Sequence, residues 1–225
     1  MTRPLRGIIW DIDGTLINSN DAHARSWVDA LAEAGVSVSF ADVRPLIGMG
    51  GDKLLPRLAG VEESEPRGEH ISKRRAEIFK ERYLPDIRPF PQTRELLQRL
   101  KSRGLALAVA TSAKGEELAG FLDLAHVRDL IEEASSSSDA ERSKPDPDIV
   151  SAALEKLGYE PSEVVMVGDT PYDVEAASAV GIRTIALRSG GRSDADLAGA
   201  VAIYDHPAQL LEQLEDSPLA SRSHG

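Results

Sequence analysis

Asp11 and Asp13 stand one residue apart at the end of an apolar run and are followed by Gly14 and Thr15. Residues 7–10, Gly-Ile-Ile-Trp, read as a short buried strand, and Gly14 as the turn that ends it. Side chains at i and i+2 on an extended chain point the same way, so the two acids share one small site at the strand's carboxyl end. Two such charges repel unless a cation or a shared proton intervenes. The pattern predicts a metal site, an acid/base pair, or both.

Three further polar clusters follow apolar runs. They are Thr111-Ser112, then Lys144 within Ser143-Lys144-Pro145-Asp146, then Asp169 and Asp173 within Val167-Gly168-Asp169-Thr170-Pro171-Tyr172-Asp173. Each has a structural reading beside the chemical one. Asp13-Gly14 alone is a turn, Thr111 a helix cap, and Lys144 a solvated loop lysine; Asp169 and Asp173 alone are an acidic pair at a helix start.

The elements that must position these groups alternate. Strand candidates lie at 7–10, 105–110, 164–167 and 184–187. Helical patterns lie at 91–102, 116–122, 148–157 and 171–180. Gly104, Gly158 and Gly181 sit where helices should stop, and Pro91, Pro147 and Pro171 where they should start. Continuous apolar strands alternating with helices predict an α/β fold: a Rossmann-like parallel sheet with helices on both faces. In such a sheet the carboxyl ends of neighbouring strands form one crevice, which would gather all four clusters.

Residues 21–86 break this rhythm. They offer helical patterns at 21–34, 41–47, 52–58 and 69–83 and no strong strand, with Asn20-Asp21 as the cap of the first helix. The chain therefore divides into an α/β core of residues 1–17 and 87–216, an inserted all-helical domain of residues 18–86, and a small polar tail of 217–225 expected to be disordered. Pro85 and Pro89 bracket the return to the core.

Whole-chain properties narrow the class. The chain has 225 residues, 41% of them hydrophobic and 28% charged, which suits a soluble globular protein. Its net charge of -11 argues against general affinity for nucleic acid or an anionic membrane. It contains no cysteine, which excludes disulfides and thiolate chemistry. No signal peptide and no long apolar segment is evident, so a cytoplasmic location is expected.

The order Asp-x-Asp-Gly-Thr, apolar strand ending in Thr, Lys-Pro, and Gly-Asp-x-x-x-Asp resembles the haloacid dehalogenase (HAD) superfamily. Residues 5–17 and 105–175 carry the motifs, and the helical segment is similar to that family's cap. The resemblance, to the phosphoglycolate phosphatase and β-phosphoglucomutase-like branch, implies a phosphatase working through an aspartyl-phosphate. Asp11 would be the nucleophile and Asp13 the general acid/base. Asp11, the Asp13 carbonyl and Asp169 would hold Mg²⁺. Thr111, the backbone amides of Ser112, Ile12 and Gly14, and Lys144 would bind the phosphoryl group, with Asp173 orienting Lys144 or a metal water.

In the cap, the glycine-rich loop at 48–51 with Gly50 resembles the substrate-specificity loop. Lys53 is the cap cation of first interest, and His23 is placed as the mutases' acid/base-coupling histidine. The implied substrate is a small phosphorylated metabolite, with no nucleic-acid or membrane partner and a monomer or weak homodimer as the working form. A phosphosugar mutase is the alternative, although glycine stands where mutases carry a phosphate-gripping arginine. A phospho-ligand sensor without catalysis is the second alternative, and the presence of both Asp11 and Asp13 argues against it. Asp13 also argues against dehalogenation, since those enzymes lack an acid there.

Overall fold

The computed structural model describes residues 4–113 and 115–220. The core elements are β1 (Gly7–Trp10), α5 (Thr93–Ser102), β2 (Ala106–Ala110), α6 (Gly115–Leu124), β3 (Glu133–Ser135), α7 (Asp148–Leu157), β4 (Val164–Gly168), α8 (Pro171–Ala179), β5 (Arg183–Leu187), β6 (Ala202–Tyr204) and α9 (Pro207–Glu212). Between β1 and α5 come α1 (Asn20–Glu33), α2 (Phe40–Val43), α3 (Gly51–Ala59) and α4 (Pro66–Ile78).

Six parallel strands form one sheet in the order β3-β2-β1-β4-β5-β6. The four strands expected from the sequence are the central ones. They are continuous apolar runs because both faces are covered. Alternate residues serve opposite layers: Ile8 and Trp10 pack with Leu97, Phe121 and Leu210 of α5, α6 and α9, whereas Ile9 packs with Val150 and Ala177 of α7 and α8. Each such fully buried aliphatic side chain contributes roughly 1.5–3 kcal/mol of transfer free energy. This packing fixes β1 at the middle of the sheet and, with it, the direction of Asp11.

Several expectations are corrected. The edge strands β3 and β6 were not among the four candidates; each has only three residues, too few to show a period. Asn20 does not cap α1. The cap position is Ser19, and its side chain makes no capping bond. The pattern at 41–47 is a single α-turn followed by a 3-10 turn at Arg44–Leu46, because Pro45 cannot donate to the helix ladder. The helix expected at 69–83 starts at Pro66 and changes to a π turn at Phe79–Tyr83. Ser217 and Leu219, placed in the tail, are buried, with Leu219 in the same apolar cluster as α9. The rest of that tail, residues 221–225, lies outside the described residues.

The four inserted helices share an apolar cluster of their own, including Trp27, Leu31, Val43, Leu54, Leu55 and Ile71. They lie over the carboxyl ends of the strands. Among the described residues no helix is long and apolar enough to cross a membrane.

Candidate active site

Asp11 follows β1 directly, Thr111 follows β2, and Asp169 follows β4. Because β1 lies between β2 and β4, these three strand ends are neighbours, and chain order reverses between β1 and β4. That is where ligands bind in open α/β sheets. Lys144 arrives from the loop after β3. Asp173 sits one turn into α8, where the Thr170 side chain caps the helix.

Lys144 is fully buried and ties the cluster together. Its ammonium donates to Asp11 Oδ1 at 2.5 Å and to the Ala110 carbonyl at 2.9 Å, and lies 2.8 Å from Asp173 Oδ1. Burial works against its charge, but Asp11 and Asp173 outweigh it and hold the ammonium above its ordinary range. The other Asp173 oxygen accepts from the amides of Asp169 and Thr170 at 3.2 and 3.0 Å and from the Thr170 hydroxyl at 2.7 Å. Asp173 therefore fixes both Lys144 and the backbone that carries Asp169.

Burial pushes the Asp11 carboxyl well above the usual range; Lys144 opposes this, and Asp173, Asp169 and Asp13 reinforce it. Burial and Asp173 push Asp169 up to about 7, against hydrogen bonds from Asn20 and Thr15. One oxygen each of Asp11, Asp169 and Asp173 lies within 4.8 Å of the others. Hard oxygen donors carrying this much uncompensated like charge fit a divalent cation such as Mg²⁺. Asp11, Asp169 and Asp173 each offer an oxygen to such an ion, and Asp11 alone of the three lines the cleft.

Asp13 has a different environment. Its Oδ1 accepts from the Ser19 hydroxyl at 2.5 Å and from His23 Nε2 at 2.8 Å. Burial alone would raise its pKa; His23, Ser19 and Arg75 together overcome that and lower it. His23 is stacked on Phe79, with ring centroids 4.1 Å apart and an interplanar angle of 1°, and meets the edge of Phe121 at 6.2 Å. Its buried Nδ1 has no hydrogen-bond partner among the described residues.

The remaining candidates divide. Thr111 is buried, and its hydroxyl accepts from the Ala113 amide at 3.1 Å, a local turn that leaves its own proton available. Among the described residues the buried Ser112 hydroxyl has no partner, and it lines the cleft. Gly14 does not offer its amide as expected, since that amide donates to the Ile17 carbonyl at 2.8 Å. Glycine is needed there for another reason: φ is +77°, and a Cβ would overlap Asn20 and the Asp169 carboxylate.

Lys53, expected to face an anionic substrate, is held in an ion pair with Asp146 at 2.6 Å. The Gly50 amide is likewise engaged, donating to Ser143 Oγ at 3.0 Å. Both are turned to the core loop at 143–146, which carries complementary groups the sequence could not assign to them.

The structure adds residues to which the sequence assigned no role at the site. Asn20 and Thr15 donate to Asp169 at 2.8 and 3.1 Å. Ser19 holds Asp13. Arg75 of α4 lines the cleft, lies over the Trp27 ring at 5.2 Å, and pairs with Glu117 at 3.8 Å. Ser19 and Asn20 carry the same local signature as a helix cap, which hid their reach across the site.

Asp11, Asp13, His23, Thr111, Ser112 and Arg75 border a cleft of about 850 Å³ between the sheet and the helical layer. Asp11, Asp13 and Thr111 line the sheet side, and Trp27, Ser72 and Arg75 the helical side. Asp11, held against an ammonium, and Asp13, held as an anion by a histidine, open on this cavity, with Asp169 and Lys144 buried beside Asp11. Together they can bind an anion, attack it, and transfer a proton.

The sequence profile for haloacid dehalogenase-like hydrolase matches residues 8–187. Protein SUPPRESSOR OF QUENCHING 1, chloroplastic, of Arabidopsis thaliana is 36% identical over 186 residues, which is 81% of this chain but only 18% of that protein's length. The phosphoglycolate phosphatase of Aquifex aeolicus is 32% identical over 185 residues, 80% of this chain and 83% of that protein. A crystal structure of a hydrolase from Pseudomonas syringae superimposes with a TM-score of 0.88 at 28% identity, covering 96% of this chain and all of that one.

Proposed function

The chain belongs to the haloacid dehalogenase-like hydrolase family, and from that premise we propose that it is a Mg²⁺-dependent phosphatase of small phosphorylated metabolites that works through an aspartyl-phosphate. The observation that carries this reading is the Asp11–Lys144 contact at 2.5 Å on the border of the same cleft as Asp13. A nucleophilic carboxylate in a buried site must be held at a fixed angle, and the ammonium supplies that contact while working against the burial that raises the Asp11 carboxyl.

Asp11, the Asp13 carbonyl and Asp169 would hold the ion. When bound, Mg²⁺ offsets the negative charge of the carboxylates and of the phosphoryl oxygens. The Thr111 and Ser112 hydroxyls bind phosphoryl oxygens, and Lys144, whose donors face Asp11, Ala110 and Asp173, adds its positive charge beside them. In the first half-reaction an Asp11 oxygen bonds to phosphorus and the bond to the leaving oxygen breaks. Asp13 gives its proton to that oxygen. In the second, water bonds to phosphorus, its proton passes to Asp13, and the Asp11–phosphorus bond breaks to release phosphate. Asp11 and Asp13 return to their starting states.

The lowered pKa of Asp13 suits the second half-reaction, where it must accept a proton. For the first it must carry one. A phosphoryl anion entering beside it raises its proton affinity by like-charge repulsion, so substrate entry itself would prepare the acid.

The helical segment, residues 18–86, acts in this reading as a cap that covers the cleft and excludes water. The phosphosugar-mutase alternative keeps the Asp13–His23 contact in its favour. Against it, Gly50 packs on Ser143 where a second phosphate would need a cation.

The test is release of inorganic phosphate from a panel of metabolite phosphates, with Mg²⁺ and with chelator. Metal-dependent turnover of at least one, abolished in Asp11→Asn, supports the proposal. Tight binding across the panel with no turnover favours a sensor instead.

A further inference from the structure

The first residues of α3 and the loop that carries Lys144 are joined by a compact set of polar contacts. The Gly50 amide donates to Ser143 Oγ at 3.0 Å. The same hydroxyl donates to Asp52 Oδ1, and the Ser143 amide donates to Asp52 Oδ2 at 3.2 Å. Lys53 pairs with Asp146 at 2.6 Å, and Arg142 holds the other oxygen of Asp146 at 3.1 Å. Gly50 can come this close because it lacks a side chain: a Cβ there would stand 2.6 Å from Ser143 Cβ.

These contacts tie the helical segment to the core, beside others such as the Tyr172 hydroxyl donating to the Pro45 carbonyl and the Arg75–Glu117 pair. Residues 50–53 belong to the helical segment, and residues 142–146 belong to the core. Ser143 immediately precedes Lys144, whose ammonium contacts Asp11 and Asp173. Ser143 here donates through both its amide and its hydroxyl and accepts at the hydroxyl oxygen. Such an arrangement has one geometry, and it exists only while the helical segment rests on the core.

Resting on the phosphatase reading above, we propose that Asp52 and Ser143 are positioning residues: together with Gly50 and the Lys53–Asp146 pair they form a latch that holds the cap shut beside Lys144. The cleft binds a phosphate ester in the shut form, so the latch sets how much of the free enzyme is ready to bind. Weakening it lowers the competent fraction and raises the apparent KM by that factor. The chemical step occurs once substrate has drawn the cap shut, so kcat is preserved.

Two measurements on the full chain test this. The first is amide hydrogen exchange without substrate. Asp52→Ala and Ser143→Ala should each accelerate exchange about tenfold in both segments, 50–55 and 141–147. The double variant should add little to either single one, because each breaks the same latch. Gly50→Ala, which removes no polar group but crowds Ser143, should behave alike. Acceleration confined to the segment that holds the substitution would overturn the latch.

The second measurement is steady-state hydrolysis of p-nitrophenyl phosphate with Mg²⁺. Asp52→Ala should raise KM several-fold with kcat within twofold, and Asp52→Asn, which keeps an acceptor for the Ser143 hydroxyl, should fall between it and wild type. A loss of kcat at unchanged KM would overturn the proposal. If the wild-type chain turns over no phosphate ester at all, the phosphatase reading fails, and the exchange experiment still decides whether the latch exists.

Discussion

Asn20 opens the first helix of the inserted segment, yet its side-chain amide reaches 2.8 Å to the carboxylate of Asp169, a residue at the end of a core strand 149 positions away. Thr15 holds the other oxygen at 3.1 Å. A carboxylate aimed by two donors loses little freedom on binding a metal, and outer partners of this kind are worth about 10–100-fold in metal affinity. Asn20→Ala should weaken Mg²⁺ binding by a factor in that range, measured by calorimetry on the chain without substrate. Equal affinity in wild type and variant would show that Asp169 is not a ligand or needs no aiming.

Asp11→Asn should abolish phosphate release while leaving the fold intact. The amide keeps an oxygen for Lys144, so the buried ammonium retains a partner, although it loses a neutralising charge. Thermal unfolding should still be cooperative and circular dichroism unchanged. Release at the wild-type rate would refute Asp11 as the nucleophile.

Removing the Asp13 carboxyl, as in Asp13→Asn, should lower the rate by about 10²–10⁴, the usual span for a positioned acid/base. The loss should appear in kcat, since the Asp11–Lys144–Asp173 cluster is untouched. A change in KM alone would assign Asp13 to binding.

The central sheet was legible because the four inner strands are buried on both faces and read as unbroken apolar runs. β3 is Glu-Ala-Ser and β6 Ala-Ile-Tyr, three residues each at the sheet edges, and so short a stretch has no pattern to read. In the site, the strand-end acids and Lys144 were legible because their residue types and the crevice rule point to one place. Ser19 and Asn20 were not, since a polar residue at a helix start looks the same whether it caps its own helix or reaches across a cleft. Lys53 failed for a related reason: a cation's partner is a tertiary fact, and Asp146 lies 93 positions on.

Arg94 and Asp129 form a two-pronged pair at 2.6 and 2.8 Å between α5 and the loop after α6. The hydrogen bonds from Arg94 lower Asp129 to about 2. A depressed carboxyl stabilises the fold above its unfolded pKa, near 3.9, and that contribution is lost as pH falls through about 2. The pair is exposed, so salt screens it. The melting temperature of wild type should therefore exceed that of Arg94→Ala modestly at pH 6 in low salt. The difference should shrink between pH 4 and 2, and in 1 M salt. A gap independent of both would mean that Arg94 acts through packing.

His23 is held by one hydrogen bond and two rings. Its Nε2 serves Asp13, its Nδ1 has no partner, and its face lies flat on Phe79. Among the described residues Asp13 is the ring's one polar contact, so the stack on Phe79 does most to set the plane of the imidazole. Phe79 sits in the π turn after α4, at the junction of the inserted segment and the core, and is itself buried. Phe79→Leu keeps an apolar side chain of lesser volume and should cost about 1–3 kcal/mol in chemical denaturation, less than the 3–5 kcal/mol typical of Phe→Ala. It removes the flat face, however, and frees the ring of His23 to turn. Asp13 then loses a donor that keeps its pKa low, so the pH at which the rate depends on Asp13 should move upward. A shifted pH profile with retained folding would identify the stack as part of the acid/base apparatus; an unshifted profile, with only stability lost, would reduce Phe79 to packing.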